Sequence, residues 1–351
     1  MKKMTQAELN EIIRKHINFM TAKPGGARAL VRDRDLSGLS FTGQNLSQSD
    51  FTGCSFVGAD LSDANFESAT LFGCDFTGAK MVNTRMVRAD MRGSDVSGAD
   101  LSRANMERAD LREGKMIANA KRKNASDQFS LAPQMAPAKF EGSNLSEANL
   151  TAAAAPAANF NDANLQKSVL TGADLKSASF VGADLSLADL SMADARGADF
   201  TYVTMVNAKM KGAETAGADF TKTLTEKPVG QDFAEFEMTL DELLLRHTSW
   251  VASGGRTGVQ FDITGTDMRK GPSLAAKKLT AIKAVEATFA EMDMRGVEMQ
   301  GAHLERADFR KCQLQNADMR GANFSGALFQ GADLSKRSEE RRVGKECRSR
   351  W

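Results

Sequence analysis

One apolar residue every five positions constrains this chain more than any other feature. From Leu36 the steps run through Phe41, Leu46, Phe51, Phe56, Leu61, Phe66, Leu71, Phe76, Met81, Met86, Met91, Val96, Leu101, Met106, Leu111 and Met116 without a miss. Two residues before each sits a mostly small residue, such as Cys54, Ala59, Ala64, Cys74 or Ala99, with Asp, Asn or another polar residue between the two. Gly closes many units, as at Gly43, Gly53, Gly58 and Gly73.

The regular elements cannot carry this period. On an α-helix a five-residue step rotates the apolar position by about 140°, so no stripe forms. A flat strand has period two, which five cannot match. A short strand followed by a corner can. The small residue and the large apolar one point inward, and the polar residue between them points out. The remaining two residues turn the corner, where Gly accepts a positive φ. Repetition of that unit predicts a closed coil stacked on the next.

Units such as Ala59-Asp60-Leu61-Ser62-Asp63 and Ala99-Asp100-Leu101-Ser102-Arg103 resemble the pentapeptide-repeat family, whose signature is A-(D/N)-L-x-x. The resemblance implies a mainly β fold, a right-handed quadrilateral β-helix with about four units per turn. Residues twenty apart should then form columns along its sides.

The pattern resumes in a shifted frame at Phe140 and runs to Phe220, with weak rungs at Ala155, Ala195 and Thr215. A third run holds ten units from Phe289 to Leu334, preceded by irregular ones at Leu279 and Ala284. The break at 117–137, with two prolines and Lys121-Arg122-Lys123, reads as a loop bulging from one corner. A second repeat is helical. Leu9, Ile12, Ile13, His16, Phe19 and Met20 match Leu240, Leu243, Leu244, His247, Trp250 and Val251 at one constant offset, laying an apolar stripe on a helix each time. Thr5-Gln6-Ala7-Glu8 and Thr239-Leu240-Asp241-Glu242 read as capping boxes, and Gly25-Gly26 and Gly254-Gly255 as stops. A solenoid end exposes unpaired strand edges, which a helix just before the first coil is placed to cover. The expected organisation is a capping helix at 1–28, a first solenoid at 29–225, a linker with a second capping helix at 226–258, and a second solenoid at 259–336.

Residues 337–351 resemble a translated sequencing adapter, an artefact that cuts the natural chain near Lys336. Without them the charge falls from +1 to about −2. In the full chain 46 basic residues nearly balance 45 acidic ones, and without that segment 40 face 42, so no global field advertises nucleic acid or an anionic membrane. Direct nucleic-acid binding is not expected. Met1–Met20 has no continuous apolar stretch and no segment approaches the length of a membrane helix, so a bacterial-type cytoplasmic protein is expected.

Chemistry is hard to find. Cys54 and Cys74 should stack one turn apart, about 4.8 Å, near disulfide range. Small buried thiols filling an Ala slot are the simpler reading, and Cys312 occupies the same slot. His16 and His247 have no Cys, Asp or Glu cluster beside them and read as core histidines hydrogen-bonded to the first coil. No catalytic residue, cofactor or metal is assigned. On the outer surface, Asp50, Asp90 and Asp110 share a column compensated by Arg92 and Arg112, and Arg85, Arg88, Arg103, Arg108 and Lys115 form a modest basic patch. The most acidic surface combines the column Asp174, Asp194 and Glu214 with Asp184, Asp189, Asp199 and Asp219; it is the candidate binding surface. The expected function is a non-catalytic protein-interaction or structural scaffold, with an unknown protein partner and an end-to-end homodimer as assembly mode. The alternative is binding to DNA gyrase by imitating DNA, as the quinolone-resistance pentapeptide proteins do.

Overall fold

The computed structural model describes residues 1–115, 135–227 and 229–335. Met116, the triplet Lys121-Arg122-Lys123, Pro228, Lys336 and the adapter-like segment lie outside these residues. The chain divides into two compact units, Met1–Glu226 and Lys227–Trp351.

In the first unit the five-residue frame becomes a stack of short parallel pairings. Asp60 pairs with Ser40 in the coil before it and Lys80 in the coil after, and the same spacing of twenty recurs along the run. Each unit makes the same backbone bonds. The Phe41 N–H donates to the Asp60 carbonyl (2.7 Å), the Asp60 N–H to Leu39 (3.0 Å), and at the corner the Ala59 N–H donates back to Phe56 (2.9 Å). Every frame residue from Leu36 to Leu111 is fully buried. The weak rungs Ala155 and Ala195 are buried too, while Phe220, in the last coil, remains 38% exposed. Phe140, Phe160, Phe180, Phe200 and Phe220 stack at 4.7–5.0 Å between ring centroids, the spacing of the coils themselves. This is a β-helix-like solenoid with a filled interior.

The shifted frame has a simple cause. Asp95 pairs with Lys139 and Asp100 with Asn144, a separation of 44, while their other neighbours lie 20 away. The Ala138 N–H donates to the Leu111 carbonyl (3.4 Å), the bond that a unit's third following residue makes elsewhere. One corner therefore carries a long insertion and the coil continues in register on its far side. The insertion leaves earlier than the expected 117–137, because its stem begins with the strand pair β1 and β2 (Gly114–Lys115 with Met135–Ala136, antiparallel). Gly93 and Gly114 allow that stem to lie on the coil, since a Cβ on Gly93 would meet the Gly114 backbone at 2.8 Å.

Two helices precede coils: α1 (Gln6–Met20) and α2 (Leu240–Ala252), both with complete capping boxes at Thr5/Glu8 and Thr239/Glu242. Leu9, Ile13 and His16 are buried from α1, and Leu240 and His247 from α2; Phe19 and Val251, expected on the apolar stripes, are 44% and 38% exposed. The first helix also stops before its expected glycines, at Thr21, followed by Ala22 with φ 53°. Gly26 has a different job, because a Cβ there would lie 2.5 Å from the Phe19 backbone.

In the second unit, Asp262 and Asp267 pair with Lys283 and Thr288 at a spacing of 21, and regular twenties begin at Lys278. One extra residue in the first coil accounts for the irregular start. Leu274, Leu279 and Ala284 are fully buried, so the array begins before Phe289.

Candidate functional site

The seven acidic candidates do not share one side of the coil. Asp174, Asp194 and Glu214 form one pairing column, as expected. Asp199 and Asp219 stand in a second column with Ser179, Asp184 in a third with Asn164 and Thr204, and Asp189 in a fourth between Val169 and Lys209. The structure thus brings three of them together and distributes the other four around the remaining sides.

The column of three is also neutralised. The Lys176 ammonium reaches Asp174 (3.2 Å) and Asp194 (3.0 Å), and the Arg196 guanidinium reaches Asp194 (2.7 Å) and Glu214 (3.3 Å). Arg196 holds the Asp194 carboxyl well below the usual carboxylate range, with Lys176 adding to the effect. The same arrangement occurs earlier in this column, where Arg92 binds Asp90 (2.8 Å) and Arg112 binds Asp110 (2.7 Å). Arg85 and Arg88 of the expected basic patch both close on Glu67, at 3.0 and 2.5 Å.

Most outward Asp and Asn residues serve the corner after them. Asp60 accepts the Ser62 N–H (3.0 Å), Asp184 that of Ser186 (3.0 Å), Asp189 that of Ser191 (2.9 Å), Asp199 that of Thr201 (2.9 Å) and Asp219 that of Thr221 (2.8 Å). An Asx turn of this kind satisfies a backbone donor that the corner would otherwise leave to water. The acidic character of the signature position is a consequence of folding.

The inward slots hold inert groups. Cys54, Cys74 and Cys312 are free and buried. Their thiols donate to the carbonyls of Val31 (3.4 Å), Phe51 (3.1 Å) and Phe289 (2.8 Å). Burial pushes the Cys54 thiol up to about 12 and raises the other two as well, which suppresses the reactive thiolate. Thr84 and Ser94 make the same bond, to Leu61 (3.0 Å) and Leu71 (2.9 Å), so a small polar residue fits this slot whenever its donor reaches the coil below. Among the described residues no group of three or more His, Cys, Asp or Glu could hold a metal ion, and no helix is long and apolar enough to cross a membrane.

Both helical histidines are hydrogen-bonded into the coil, as their place on the apolar stripe implies. His16 Nδ1 accepts the Ala29 N–H (3.1 Å) and its Nε2–H donates to the Ser47 carbonyl (3.1 Å). His247 repeats the geometry with the Phe261 N–H (3.0 Å) and the Thr280 carbonyl (2.9 Å).

The sequence of the repeat units, matched against known families, agrees with this geometry. Pentapeptide repeats match in eight copies, over 35–71, 69–108, 156–191, 178–214, 188–223, 278–310 and 307–336. The chain belongs to the pentapeptide-repeat family. No curated protein matches it. Among solved structures it is similar to HetL, a pentapeptide repeat protein involved in heterocyst differentiation regulation from the cyanobacterium Nostoc sp. strain PCC 7120 (24% identity over 84% of this chain and 91% of that one, TM-score 0.30). It is also similar to full-length QnrB1, a plasmid-mediated fluoroquinolone resistance protein (24% identity, 54% of this chain and 91% of that one, TM-score 0.25). A third is a pentapeptide repeat protein of the Arabidopsis thaliana thylakoid lumen (28% identity, 34% of this chain and 66% of that one, TM-score 0.26).

Sequence reasoning passed over one surface feature of this pentapeptide-repeat solenoid. Leu187 and Met192 occupy corner positions with φ 61°, where glycine or a polar residue is usual, and are 53% and 67% exposed. They flank the side that holds Val169, itself 37% exposed. The signal was available: a large apolar residue two places after the frame residue has no inward slot to fill.

Proposed function

We propose that this pentapeptide-repeat protein is a non-catalytic interaction scaffold that binds a protein partner through its sides. The observation that carries the reading is the filled interior: frame residues at 0% exposure and stacked Phe columns leave the outer surface as the part of the coil that meets other molecules. Two neighbouring sides of the first unit are the best candidate surface. One holds Val169, Asp189 and Lys209, the next Asp174, Asp194 and Glu214, and Met192 sits at the corner between them. Exposed apolar groups beside charges resemble the mixed character of protein-binding surfaces. The helices α1 and α2 act in this reading as lids over the first coil of each array, and the two arrays as separate solenoid domains.

DNA mimicry is disfavoured by the ion pairs that Lys176 and Arg196 make along the acidic column, since phosphate imitation needs a run of uncompensated negative charge. The test uses the full chain as bait in its source organism, alongside a Leu187→Glu/Met192→Glu variant and a Asp174→Lys/Asp194→Lys/Glu214→Lys variant, with gyrase supercoiling assayed in parallel. The scaffold reading expects a partner captured by the parent and lost with the apolar variant, and no effect on supercoiling at micromolar protein. Inhibition of supercoiling that the charge-reversed variant loses would reverse the ranking.

A further inference from the structure

We propose that His16 and His247 are acid-operated latches, each holding its lid on its coil only while the imidazole is neutral. The argument starts from the donors around each ring. The Ala29 N–H points at His16 Nδ1, and the Phe261 N–H at His247 Nδ1, so that nitrogen must offer a lone pair. The carbonyls of Ser47 and Thr280 meet Nε2, which fixes the proton there. A second proton on Nδ1 would set two N–H groups against each other and leave a buried backbone donor unsatisfied.

Each histidine also joins two parts of the coil that α1 or α2 would otherwise leave open. His16 ties Ala29, just before the first rung, to Ser47 on another side of the same turn, and is itself fully buried. His247 does the same for Phe261 and Thr280 and is 1% exposed. Flanking rings close the site: Phe19 stacks on His16 at 6.2 Å and Trp250 on His247 at 5.8 Å. The charged group facing His16 is Arg28, which is hydrogen-bonded to the Gln48 carbonyl and repels an imidazolium. No ionisable neighbour among the described residues acts on His247. Burial lowers both imidazoles from the ordinary 6.5.

The sign of the effect follows. A histidine held below its ordinary value in the folded lid favours the neutral, closed form. The latch is therefore fully engaged above pH 6.5 and weakens as the pH falls toward the depressed folded value. The remaining contacts carry no imidazole, and the ionisable pair among them is Lys277 of the coil with Asp241 of α2 at 3.1 Å. The Gln6 amide receives the Ser40 N–H (2.9 Å) and donates to the Ser40 carbonyl (3.0 Å), replacing a missing strand. Lys2–Lys3 pairs in parallel with Arg34–Asp35, and Gln231–Asp232 with Thr266–Asp267. Acid thus releases the helix while leaving the coil formed, and exposes the Ala29 and Phe261 donors on an edge open to strand pairing.

Amide hydrogen exchange on the full chain tests this, with rates corrected for intrinsic pH dependence. Protection at Ala29 and Phe261 should fall by up to about tenfold per pH unit below 6.5, while amides of the central coils stay constant. His16→Gln keeps one acceptor and one donor but does not titrate; it should flatten the profile at Ala29 alone, and His247→Gln the profile at Phe261 alone. Flat protection in the parent protein, or an unchanged pH profile in both variants, overturns the proposal. Should a variant fail to fold, imidazole NMR of the parent decides: Nε2–H tautomers with midpoints below 6.5 support the latch, and Nδ1–H tautomers or midpoints at or above 6.5 overturn it.

Discussion

Phe56 and Phe76 show what a single residue contributes to this coil. Their rings stack at 4.7 Å one turn apart, and both are fully buried. Truncating either to Ala should cost about 3–5 kcal/mol in denaturant unfolding, through lost burial and the cavity left behind. Asp60 faces outward, and its task is to accept the Ser62 N–H. Asp60→Asn keeps that acceptor and should be nearly neutral, while Asp60→Ala should cost about 1 kcal/mol, the scale of a lost local cap. Equal losses at Phe56 and Asp60 would refute the inward and outward assignment. The Asp-x-Arg clips add a pH signature. Arg295, through its side chain and then its backbone N–H, holds the Asp293 carboxyl down at about 2. Because that value is depressed from 3.8, the contribution of the clip is complete above pH 3.8 and is lost as the pH falls through about 2. Carboxylate titration by NMR should place Asp293 near that midpoint in the parent and move it toward 3.8 in Arg295→Ala. Identical midpoints in the two proteins would mean that the ion pair does not form in solution.

At the scale of the element, the corners carry the conformational burden. Most units carry one residue with positive φ, and glycine supplies it without strain at Gly58 (φ +62°), where a Cβ would meet nothing within 4 Å. Gly58→Ala should therefore cost about 1–2 kcal/mol, the left-handed penalty alone. Gly93→Ala should cost more, because the new Cβ also meets the Gly114 backbone at the stem of the insertion. Comparable losses would show that the stem does not rest on the coil. Much at this scale was legible in the sequence. The frame from Leu36 to Leu111, the capping boxes and the two core histidines followed from spacing and side-chain chemistry. What escaped was set by contacts distant along the chain. The stem at Gly114 and Met135 depends on the approach of Gly93, the place of Gly26 on its close approach to the Phe19 backbone, and the extra residue after Met268 on the pairing of Asp262 with Lys283. The spread of the acidic residues over several columns escaped for a related reason. Residues five or ten apart look like neighbours on paper, yet the coil places Asp184, Asp189 and Asp199 on sides other than that of Asp194.

At the scale of the whole molecule, each unit is a quasi-one-dimensional stack whose stability resides between neighbouring coils. The central claim is that the first unit is one uninterrupted coil, so that its sides are continuous. The insertion is the place where that claim is most exposed. Pairing at a separation of 44 across it, against 20 elsewhere, means that removing 24 residues should restore the period. Deleting 114–137 joins Glu113 to Ala138 and gives Leu111-Arg112-Glu113-Ala138-Lys139-Phe140, a regular unit with Ala138 inward and Phe140 in frame. The decisive measurement is denaturant unfolding of this deletion beside one that removes two residues more, taking Ala138 and Lys139 with it and leaving the side too short to keep its register. The in-register deletion should unfold cooperatively and within about 1–2 kcal/mol of the parent, because a closed corner replaces the insertion without breaking a rung. The out-of-register deletion should lose cooperativity, since a two-residue slip moves the wrong side chains inward. Equal behaviour of the two deletions would contradict the continuous coil and, with it, the assignment of its sides.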